Sequence, residues 1–306
     1  MSKCEAAPRE FATGRIVKAI SGFYYVETGG SVVQCRARGI LRRQKTEPLV
    51  GDLVELTLPK SEQTDGTVEA ILPRRNSLVR PPLANVDRLL IVSAFSNPAP
   101  SALLIDKLIA ICEHKDIEPI LVFNKSDQGD FSQWERLYRH AGFQVYVVSC
   151  ATGDGIDAVR RALGDGISVF SGNSGVGKSS LLNRLFDRLT LQTGEVSEKL
   201  GRGRHTTRTV ELFATGEGGY VADTPGFASL ELDKAELLSR EELPHAFREF
   251  APYAGQCKFT SCAHTGEKGC AVCAAVESGE IERSRYESYC KLYDEVKDIK
   301  PWMLQK

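Results

Sequence analysis

The sequence predicts a chain of several domains: a small N-terminal β-barrel, a central α/β domain built on a parallel sheet, and a C-terminal helical domain. Three observations lead to this prediction. Strand-like runs fill residues 14–72, strands then alternate with helices, and a cluster of cysteine and histidine interrupts the polar helical sequence near the C-terminus. We expect the domains to span residues 1–78, 79–232 and 233–306.

Length and composition are typical of a soluble globular protein. The 306 residues suit two or three domains, and 42% of them are hydrophobic. The first ten residues lack the apolar core of a secretory signal, and no stretch approaches the roughly 18 apolar residues of a membrane helix. The nine cysteines are scattered and odd in number, which indicates a reducing compartment. We therefore expect a cytoplasmic protein without membrane contact.

The net charge indicates a partner only weakly. The chain carries −1 overall, so no global basic field points to nucleic acid. Residues 1–80 hold 13 Lys+Arg against 9 Asp+Glu, an excess of four positive charges. Such an excess slightly favours a polyanionic partner, although a solvated basic face is the commoner reason for it.

The first domain is predicted from short alternating runs. Gly29-Gly30, Gly51-Asp52 and Asp65-Gly66 separate runs that are rich in β-branched and aromatic residues. About four or five strands in this length suit a small closed barrel of the OB type. An SH3-like barrel is the alternative that these runs leave open.

The second domain begins after a linker that we place at residues 78–87, where Pro81 and Pro82 break the barrel pattern. Buried strand-like runs such as DRLLIVSAF and EPILVFN then alternate with helical runs such as SALLIDKLIAICEHK. This alternation predicts a parallel sheet covered on both faces, with ligands at the carboxyl ends of its strands. The runs TRTVELFAT and GGYVADTPG add two strands, which we expect to pair antiparallel.

The stretch GNSGVGKS, Gly172 to Ser179, fits the phosphate-binding pattern G-x-x-x-x-G-K-[ST]. Its glycines let backbone N–H groups turn inward around phosphate oxygens, and a helix beginning at Lys178 points its positive end at them. Lys178 is expected to bind the β and γ phosphates, and the Ser179 hydroxyl to bind Mg²⁺. The predicted phosphate contacts are Gly172, Asn173, Ser174, Gly175, Val176, Gly177, Lys178, Ser179 and Ser180.

The stretch DTPGF, Asp223 to Phe227, follows the apolar run GGYVA. An acidic residue that ends a strand after a phosphate loop is expected to hold Mg²⁺ through water. Gly226 can offer its backbone N–H to the γ phosphate. The pattern D-x-x-G is common by chance, and its place after a phosphate loop makes it informative.

The stretch NKSD predicts recognition of guanine. Asp127 can accept two hydrogen bonds from the N1–H and exocyclic amine of guanine, a donor pair that adenine lacks. The stem of Lys125 can lie along the base plane, and Asn124 can connect this loop to the phosphate loop. Downstream, SCATG ends the next strand, where the N–H groups of Cys150 and Ala151 can meet guanine O6. The predicted base contacts are Asn124, Lys125, Ser126, Asp127, Ser149, Cys150 and Ala151.

These motifs occur in an unusual order, because ordinary GTPases carry the phosphate loop first and NKxD last. No second phosphate loop precedes NKSD, and no second NKxD follows Asp223. The simplest explanation is one circularly permuted P-loop GTPase domain, since the termini of a domain often lie close together at its surface. The Asp223 segment is then predicted to lead directly into the C-terminal domain.

The stretch GRGRHTTRTVELF lies between the phosphate loop and DTPG, where a GTPase carries its first switch. Thr206 or Thr207 is expected to bind Mg²⁺ in the GTP state. Phe227 stands where many GTPases have a glutamine that orients water, and a phenyl ring cannot make that hydrogen bond. His205 is the nearest candidate for the role. An exposed His205 without a catalytic role is the alternative.

The spacing Cys257-x4-Cys262-x-His264-x5-Cys270 predicts a metal site. Three thiolates and one imidazole form a closed, structural Zn²⁺ set that leaves no open position for catalysis. Cys273 is a fifth candidate that can replace one ligand. Free cysteines in a loop are the alternative.

Taken in order, NKSD, SCATG, GNSGVGKSS, GRHTT and DTPGF, followed by the C-x4-C-x-H-x5-C spacing, resemble the RsgA (YjeQ) family of bacterial GTPases. The resemblance covers about residues 10–300 and implies an OB domain, a permuted GTPase domain and a helical zinc-binding domain. It also implies His205 as the hydrolytic group. Cys150, where the family usually has alanine, and the additional Cys273 depart from the family pattern.

The resemblance further implies a late assembly factor that binds the 30S ribosomal subunit and its 16S rRNA, where hydrolysis of GTP to GDP is stimulated. The cofactors expected are one structural Zn²⁺ per chain and Mg²⁺ with GTP, and we expect a monomer. An RNA-binding scaffold whose nucleotide site serves only as a slow reporter is an alternative function. A P-loop kinase that uses ATP is disfavoured by Asp127.

Overall fold

A computed structural model describes residues 11–43, 46–59, 61, 64–186, 210–215, 218–223 and 238–299. Among these residues, none of the helices combines the length and the apolar character needed to cross a membrane.

The N-terminal domain is a closed five-stranded barrel. Its strands follow the order β1-β2-β3-β5-β4, and β4 pairs back onto β1. β3 and β5 are parallel, whereas the other neighbours are antiparallel. This Greek-key order, with a short helix between β3 and β4, confirms the OB type. The elements are β1 Phe11–Ile20, β2 Phe23–Thr28, β3 Ser31–Ala37, α1 Gly39–Arg43, β4 Leu53–Thr57 and β5 Gly66–Ile71.

Alternation along the barrel strands builds a dry interior. Ile16, Val26, Val54, Leu56 and Val68 point inward and are fully buried, as the period of two in a strand requires. Their neighbours along each strand are partly or fully exposed, except Val17, which is buried at the bulge in β1. Burial of one face of each strand therefore stabilises the closed sheet.

The segment predicted as a linker contains a small two-stranded sheet of its own, β6 (Ser77–Leu78) with β7 (Leu83–Ala84). The buried side chain of Asn76 fixes it to the next domain, because its amide donates to the Val86 carbonyl and accepts from the Val86 N–H, both at 2.8 Å. The chain leaving the barrel is therefore held in a defined conformation. The prolines in the sequence predict only a linker here.

The central domain is a six-stranded sheet of order β10-β9-β8-β11-β13-β12. Every strand is parallel to its neighbours except β12, which pairs antiparallel with β13 as expected. The strands are β8 Val86–Ala94, β9 Glu118–Asn124, β10 Gln144–Val147, β11 Gly166–Ser171, β12 Glu211–Ala214 and β13 Gly219–Asp223. The helices are α2 Ala102–His114, α3 Ser132–His140, α4 Ile156–Leu163 and α5 Lys178–Leu185.

Helices cover both faces of this sheet, because alternate residues of each buried strand point to opposite sides. Leu89 and Ile91 of β8 belong to the cluster that includes Leu108 of α2. Leu90 of the same strand belongs to the opposite cluster, which includes Val159 of α4. The predicted α/β architecture is thereby confirmed, and the exact limits of the three domains stay a prediction.

The barrel joins the central sheet through its first strand. β1 contains a bulge between Ile16 and Lys18, beyond which Lys18 pairs with Glu211 of β12. The two side chains also form an ion pair of 2.9 Å. Beside it the Tyr220 hydroxyl of β13 donates to Glu27 of β2 at 2.9 Å. The barrel therefore contacts the two strands that flank the DTPG end of the sheet.

The C-terminal domain packs two helices, α6 (Ala271–Ser278) and α7 (Arg283–Val296), against 3₁₀ turns at Leu243–Ala246 and Arg248–Tyr253. Its apolar cluster includes Ala110 and Ile111 of α2. The helix α2 thus contributes one face to the central sheet and another to the C-terminal domain.

A buried charged group lies at this junction. Arg285 of α7 is 0% exposed and donates to Asp106 of α2 at 2.8 Å and to both oxygens of Glu249 at 2.7 and 3.1 Å. Asp106 also accepts from the Tyr138 hydroxyl of α3 at 3.0 Å. A buried guanidinium is tolerated only with such partners, since removing one member leaves the others as unpaired buried charges.

We expect Arg285→Met to lower the free energy of unfolding by about 3–5 kcal/mol, because it leaves Asp106 and Glu249 without their cation. Urea unfolding of the transition that includes the C-terminal domain measures this change. Arg240→Met is the matched control, because Arg240 pairs with Glu241 at the exposed surface, and we expect a change within about 0.5 kcal/mol. Equal midpoints for the two variants would contradict the prediction.

Candidate functional site

The loops that carry the predicted motifs meet at one edge of the sheet. Ala94 of β8 is level with Asn124 of β9, and Phe123 is level with Val147 of β10. Ser171, where β11 ends, is level with Ile91 of β8. NKSD, SCATG and the phosphate loop each follow one of these ends, so stretches distant in sequence form one continuous site.

The phosphate loop wraps closely against its neighbours. Gly172 has φ 150°, and a Cβ there would lie 2.2 Å from the carbonyl oxygen of Val92. Gly177 has φ 92°, and a Cβ there would lie 2.3 Å from the side-chain nitrogen of Asn124. Glycine is therefore needed at both positions. The loop ends where α5 begins at Lys178, so the positive end of the helix faces the loop.

The ammonium group of Lys178 lies inside this loop. Its Nζ donates to the carbonyl oxygens of Gly172 at 2.5 Å and Asn173 at 3.0 Å. Partial burial lowers the pKa of Lys178. A phosphate beside the ammonium would favour its charged form, because an opposite charge counteracts the desolvation.

Asn124 connects the three loops. Its side chain is 1% exposed, and its amide nitrogen donates to the Val176 carbonyl of the phosphate loop at 3.0 Å. Its amide oxygen accepts the N–H of Cys150 in SCATG at 3.2 Å. The Cys150 N–H is thus engaged within the protein, which leaves the N–H of Ala151 as the SCATG donor that can meet guanine O6.

The carboxylate of Asp127 is oriented at the surface of the site. The Ser149 hydroxyl donates to one of its oxygens at 2.5 Å, and Asp127 itself is exposed. Lys125 takes a left-handed conformation with φ 65° as the chain turns out of β9. This arrangement leaves acceptor capacity on Asp127 for a pair of donors on a base edge.

Arg184, which the sequence did not single out, supports the SCATG loop, and Arg160 holds the end of the helix that carries Arg184. Arg184, near the end of α5, donates to the carbonyls of Cys150 at 3.0 Å and Ala151 at 3.3 Å. Arg160 of α4 donates to the carbonyls of Leu185 at 3.2 Å and Arg184 at 2.8 Å. In a planar trans peptide the C=O and the N–H point in opposite directions. Hydrogen bonds that fix the loop carbonyls therefore also fix the directions of the loop N–H groups. In the sequence, the only sign of this contact is that a basic residue, Arg184, lies near the C-terminal end of the predicted helix after the phosphate loop.

The DTPG end of the site is described only in part. β13 places the backbone of Asp223 at the same edge, because Ala222 is level with Val169 of β11. The predicted roles of His205, Thr206, Thr207, Gly226 and Phe227 fall on residues outside those that the structure describes.

The C-terminal domain brings the four predicted metal ligands together. The donor atoms of Cys257, Cys262, His264 and Cys270 all lie within 4.8 Å of one another. His264 Nδ1 is 3.5 Å from Cys257 Sγ and 3.4 Å from Cys270 Sγ, and the two sulfurs are 3.9 Å apart. Tetrahedral zinc with bonds near 2.1–2.3 Å separates its ligands by about 3.5–3.8 Å. The four residues therefore fit a zinc ion.

Backbone groups at the start of α6 complete the cluster. The N–H of Ala271 donates to Cys257 Sγ at 3.3 Å, and the N–H of Cys273 donates to Cys270 Sγ at 3.4 Å. Such donors stabilise thiolates and orient them as ligands. Cys273, the fifth candidate, lies outside the set of four, and its Sγ is 3.4 Å from the Tyr286 hydroxyl.

Comparison with known proteins gives two family matches. A model of the RsgA GTPase domain matches residues 71–233, and a model of the RsgA N-terminal domain matches residues 13–68. A "small ribosomal subunit biogenesis GTPase RsgA" from Caldanaerobacter subterraneus subsp. tengcongensis is 48% identical over 288 residues, which cover 93% of this chain and 96% of the relative. A protein of the same name from Geobacillus sp. strain WCH70 is 48% identical over 296 residues, which cover 95% and 99%.

Solved structures show the same architecture. The circularly permuted GTPase YloQ is 36% identical with a TM-score of 0.78, and the match covers 95% of this chain and 97% of YloQ. YjeQ from Thermotoga maritima is 36% identical with a TM-score of 0.79, and the match covers 95% and 100%. The permuted order inferred from the motifs is confirmed.

The contacts of Arg184 predict a role in retaining the nucleotide. We expect Arg184→Ala to release a fluorescent GDP analogue about fivefold faster in stopped-flow measurements, since about 1 kcal/mol of support for the SCATG loop is lost. Arg161→Ala, an exposed arginine on the neighbouring helix α4, is the control and should leave the release rate unchanged. Identical release from both variants would show that Arg184 does not support the loop.

Proposed function

The chain belongs to the RsgA GTPase family and hydrolyses GTP, and from this premise we propose that it is a late assembly factor of the 30S ribosomal subunit. The subunit stimulates its GTPase activity, and the protein contacts 16S rRNA. We further propose that it acts as a cytoplasmic monomer. The observation that supports this function best is the single nucleotide site, assembled from motifs in permuted order between an OB barrel and a cysteine–histidine domain.

The contacts at the sheet edge support specific roles in binding GTP. Asp127 and the Ala151 N–H select guanine, and Asn124 and Arg184 position the loops that carry them. The N–H groups of Gly172 to Ser180 and the Lys178 ammonium bind the phosphates. The full set proposed here is Asn124, Lys125, Ser126, Asp127, Ser149, Cys150, Ala151, Gly172 to Ser180, Asp223 and Gly226, with Cys150 acting through Asn124.

Hydrolysis requires a metal ion and an oriented water. Mg²⁺, when bound, neutralises charge between the β and γ phosphates. We assign the Ser179 hydroxyl and a switch threonine, Thr206 or Thr207, as its protein ligands, with Asp223 acting through water. His205 then orients the attacking water, a role that Phe227 cannot perform because it has no polar group.

The barrel supports the rRNA contact. OB domains bind nucleic acid on the face of their second and third strands. On that face the exposed guanidinium of Arg36 lies 4.2 Å from the ring centre of Phe23. A planar cation over an aromatic ring suits both phosphate contact and base stacking.

The decisive experiment measures GTP hydrolysis with and without purified 30S subunits. We expect the subunits to raise kcat, and we expect His205→Ala to lower the stimulated rate by about 10²-fold while GTP affinity is retained. Lys178→Ala, which removes the ammonium group proposed to bind the phosphates, is the reference variant expected to lose GTP binding. Absence of stimulation at saturating subunits would contradict the assembly-factor role, and an unchanged rate in His205→Ala would exclude that residue alone.

The metal site is proposed to be structural. We expect the purified chain to carry about one Zn²⁺ and Cys262→Ser to lose it, together with a lower unfolding temperature, because a three-ligand site is open. Elemental analysis after dialysis measures the content. Cys290→Ser is the control, since Cys290 lies outside the ligand set. Full zinc content in Cys262→Ser would contradict the assignment.

A further inference from the structure

Cys273 is the one cysteine of the 257–273 stretch that the zinc set does not use. It is partly buried, and its Sγ is 3.4 Å from the Tyr286 hydroxyl of α7. A thiol beside four metal ligands, yet outside them, is available for chemistry that the ligands themselves are not.

The backbone places Cys273 on the same face as Cys270. Cys270 is the N-cap of α6, and its Sγ accepts the Cys273 N–H at 3.4 Å. Residues three apart at the start of a helix lie on one side, and helix geometry separates their Cα atoms by about 5 Å. A disulfide spans Cα separations of about 4.4–6.8 Å.

The Cys270 sulfur lies next to two other ligand atoms of the metal cluster. It lies 3.9 Å from Cys257 Sγ and 3.4 Å from His264 Nδ1. Any covalent bond formed at this sulfur removes one of the four ligands and leaves an incomplete set. Structural zinc sites are closed by four ligands, so the remaining three would bind the ion weakly.

We propose that Cys270 and Cys273 form a peroxide-sensitive pair, in which oxidation to a disulfide releases the zinc ion. The inference rests on the proposed zinc site and adds a modification site to it. Hydrogen peroxide, or another hydroperoxide, is the oxidant.

The reaction balances in two steps. The Cys273 sulfur attacks peroxide, the O–O bond breaks, and sulfenic acid and water form, the thiol proton passing to the departing hydroxide. The Cys270 thiolate then attacks the sulfenic sulfur, an S–S bond forms, the S–O bond breaks, and the hydroxide leaves as water after taking a proton from solvent. Two sulfurs lose one electron each, and peroxide is reduced to two molecules of water.

Among the residues that the structure describes, the two buried thiols outside the metal cluster contrast with Cys273. Cys112 is fully buried in α2, and burial raises the pKa of its thiol well above the usual value. Cys35 is buried within the barrel, where burial raises the pKa of its thiol to about 11. Both are closed off from solvent and from a dissolved oxidant, whereas Cys273 is partly exposed. Cys290 of α7 is partly buried beyond Tyr286 and is the alternative partner that an experiment must separate.

The test treats the zinc-loaded full chain with graded hydrogen peroxide and follows zinc release with a chromogenic chelator. Samples are then alkylated and digested with trypsin without reduction. Cleavage after Lys268 and Arg283 places Cys270 and Cys273 together in one peptide, whereas Cys290 falls in the peptide that follows Arg285. The expected product is the 269–283 peptide lacking two hydrogen atoms and carrying no alkyl group.

We expect Cys273→Ser to need at least about tenfold more peroxide for the same zinc release, because the sulfenic sulfur that captures Cys270 is absent. Cys290→Ser should behave as the unmodified chain, and dithiothreitol with added Zn²⁺ should restore the metal. Equal peroxide sensitivity of Cys273→Ser and the unmodified chain would overturn the proposal, as would a disulfide between Cys273 and Cys290. The zinc content before treatment tests the metal site separately, and the peptide map tests the pairing.

Discussion

The nucleotide site depends on one buried amide. Asn124 donates to the phosphate loop and accepts from the SCATG loop, and its side chain is closed off from solvent. Water can replace these hydrogen bonds only if the loops move apart and expose the Asn124 side chain. The hydrogen bonds therefore hold the three loops in one geometry. Gly177 permits this contact, because any side chain there would collide with the Asn124 amide. Circular permutation leaves the arrangement intact, since it changes which ends are joined and not which strands are adjacent.

Local motifs were predictable from sequence because their function requires particular residues at fixed spacing. The phosphate loop, NKSD and the four zinc ligands each carry their chemistry within a few residues, and the structure brings each set together. The choice of an OB barrel was not decided by the strand runs, because it depends on the parallel pairing of β3 with β5 across a long connection. The engagement of the Cys150 N–H by Asn124 also escaped sequence reasoning, as did Arg184, since both depend on neighbours distant in the chain.

Helix α2 links the nucleotide edge with the C-terminal domain. Its N-cap Ser101 and Leu104 line a small apolar cavity with Gly172 and Asn173 of the phosphate loop. Its far end packs into the C-terminal apolar cluster, and between the two its Asp106 binds Arg285. One carboxylate oxygen of Asp106 accepts from both Arg285 and Tyr138. The helix therefore has little freedom to slide, because a displacement would break these buried hydrogen bonds. Helix α2 therefore connects the C-terminal domain rigidly to the cavity beside the phosphate loop.

The pairing of β1 with β12 affects how much of the edge of the central sheet is open to pairing with other molecules. An outer strand offers unpaired backbone groups to which a second molecule can add, and long exposed edges promote aggregation. Here β12 meets β1 at Glu211, and the barrel beyond it is closed by the pairing of β4 with β1. The opposite outer strand, β10, is only four residues long, from Gln144 to Val147. The barrel therefore covers the β12 edge of the central sheet where β1 pairs with it, a role separate from binding any ligand.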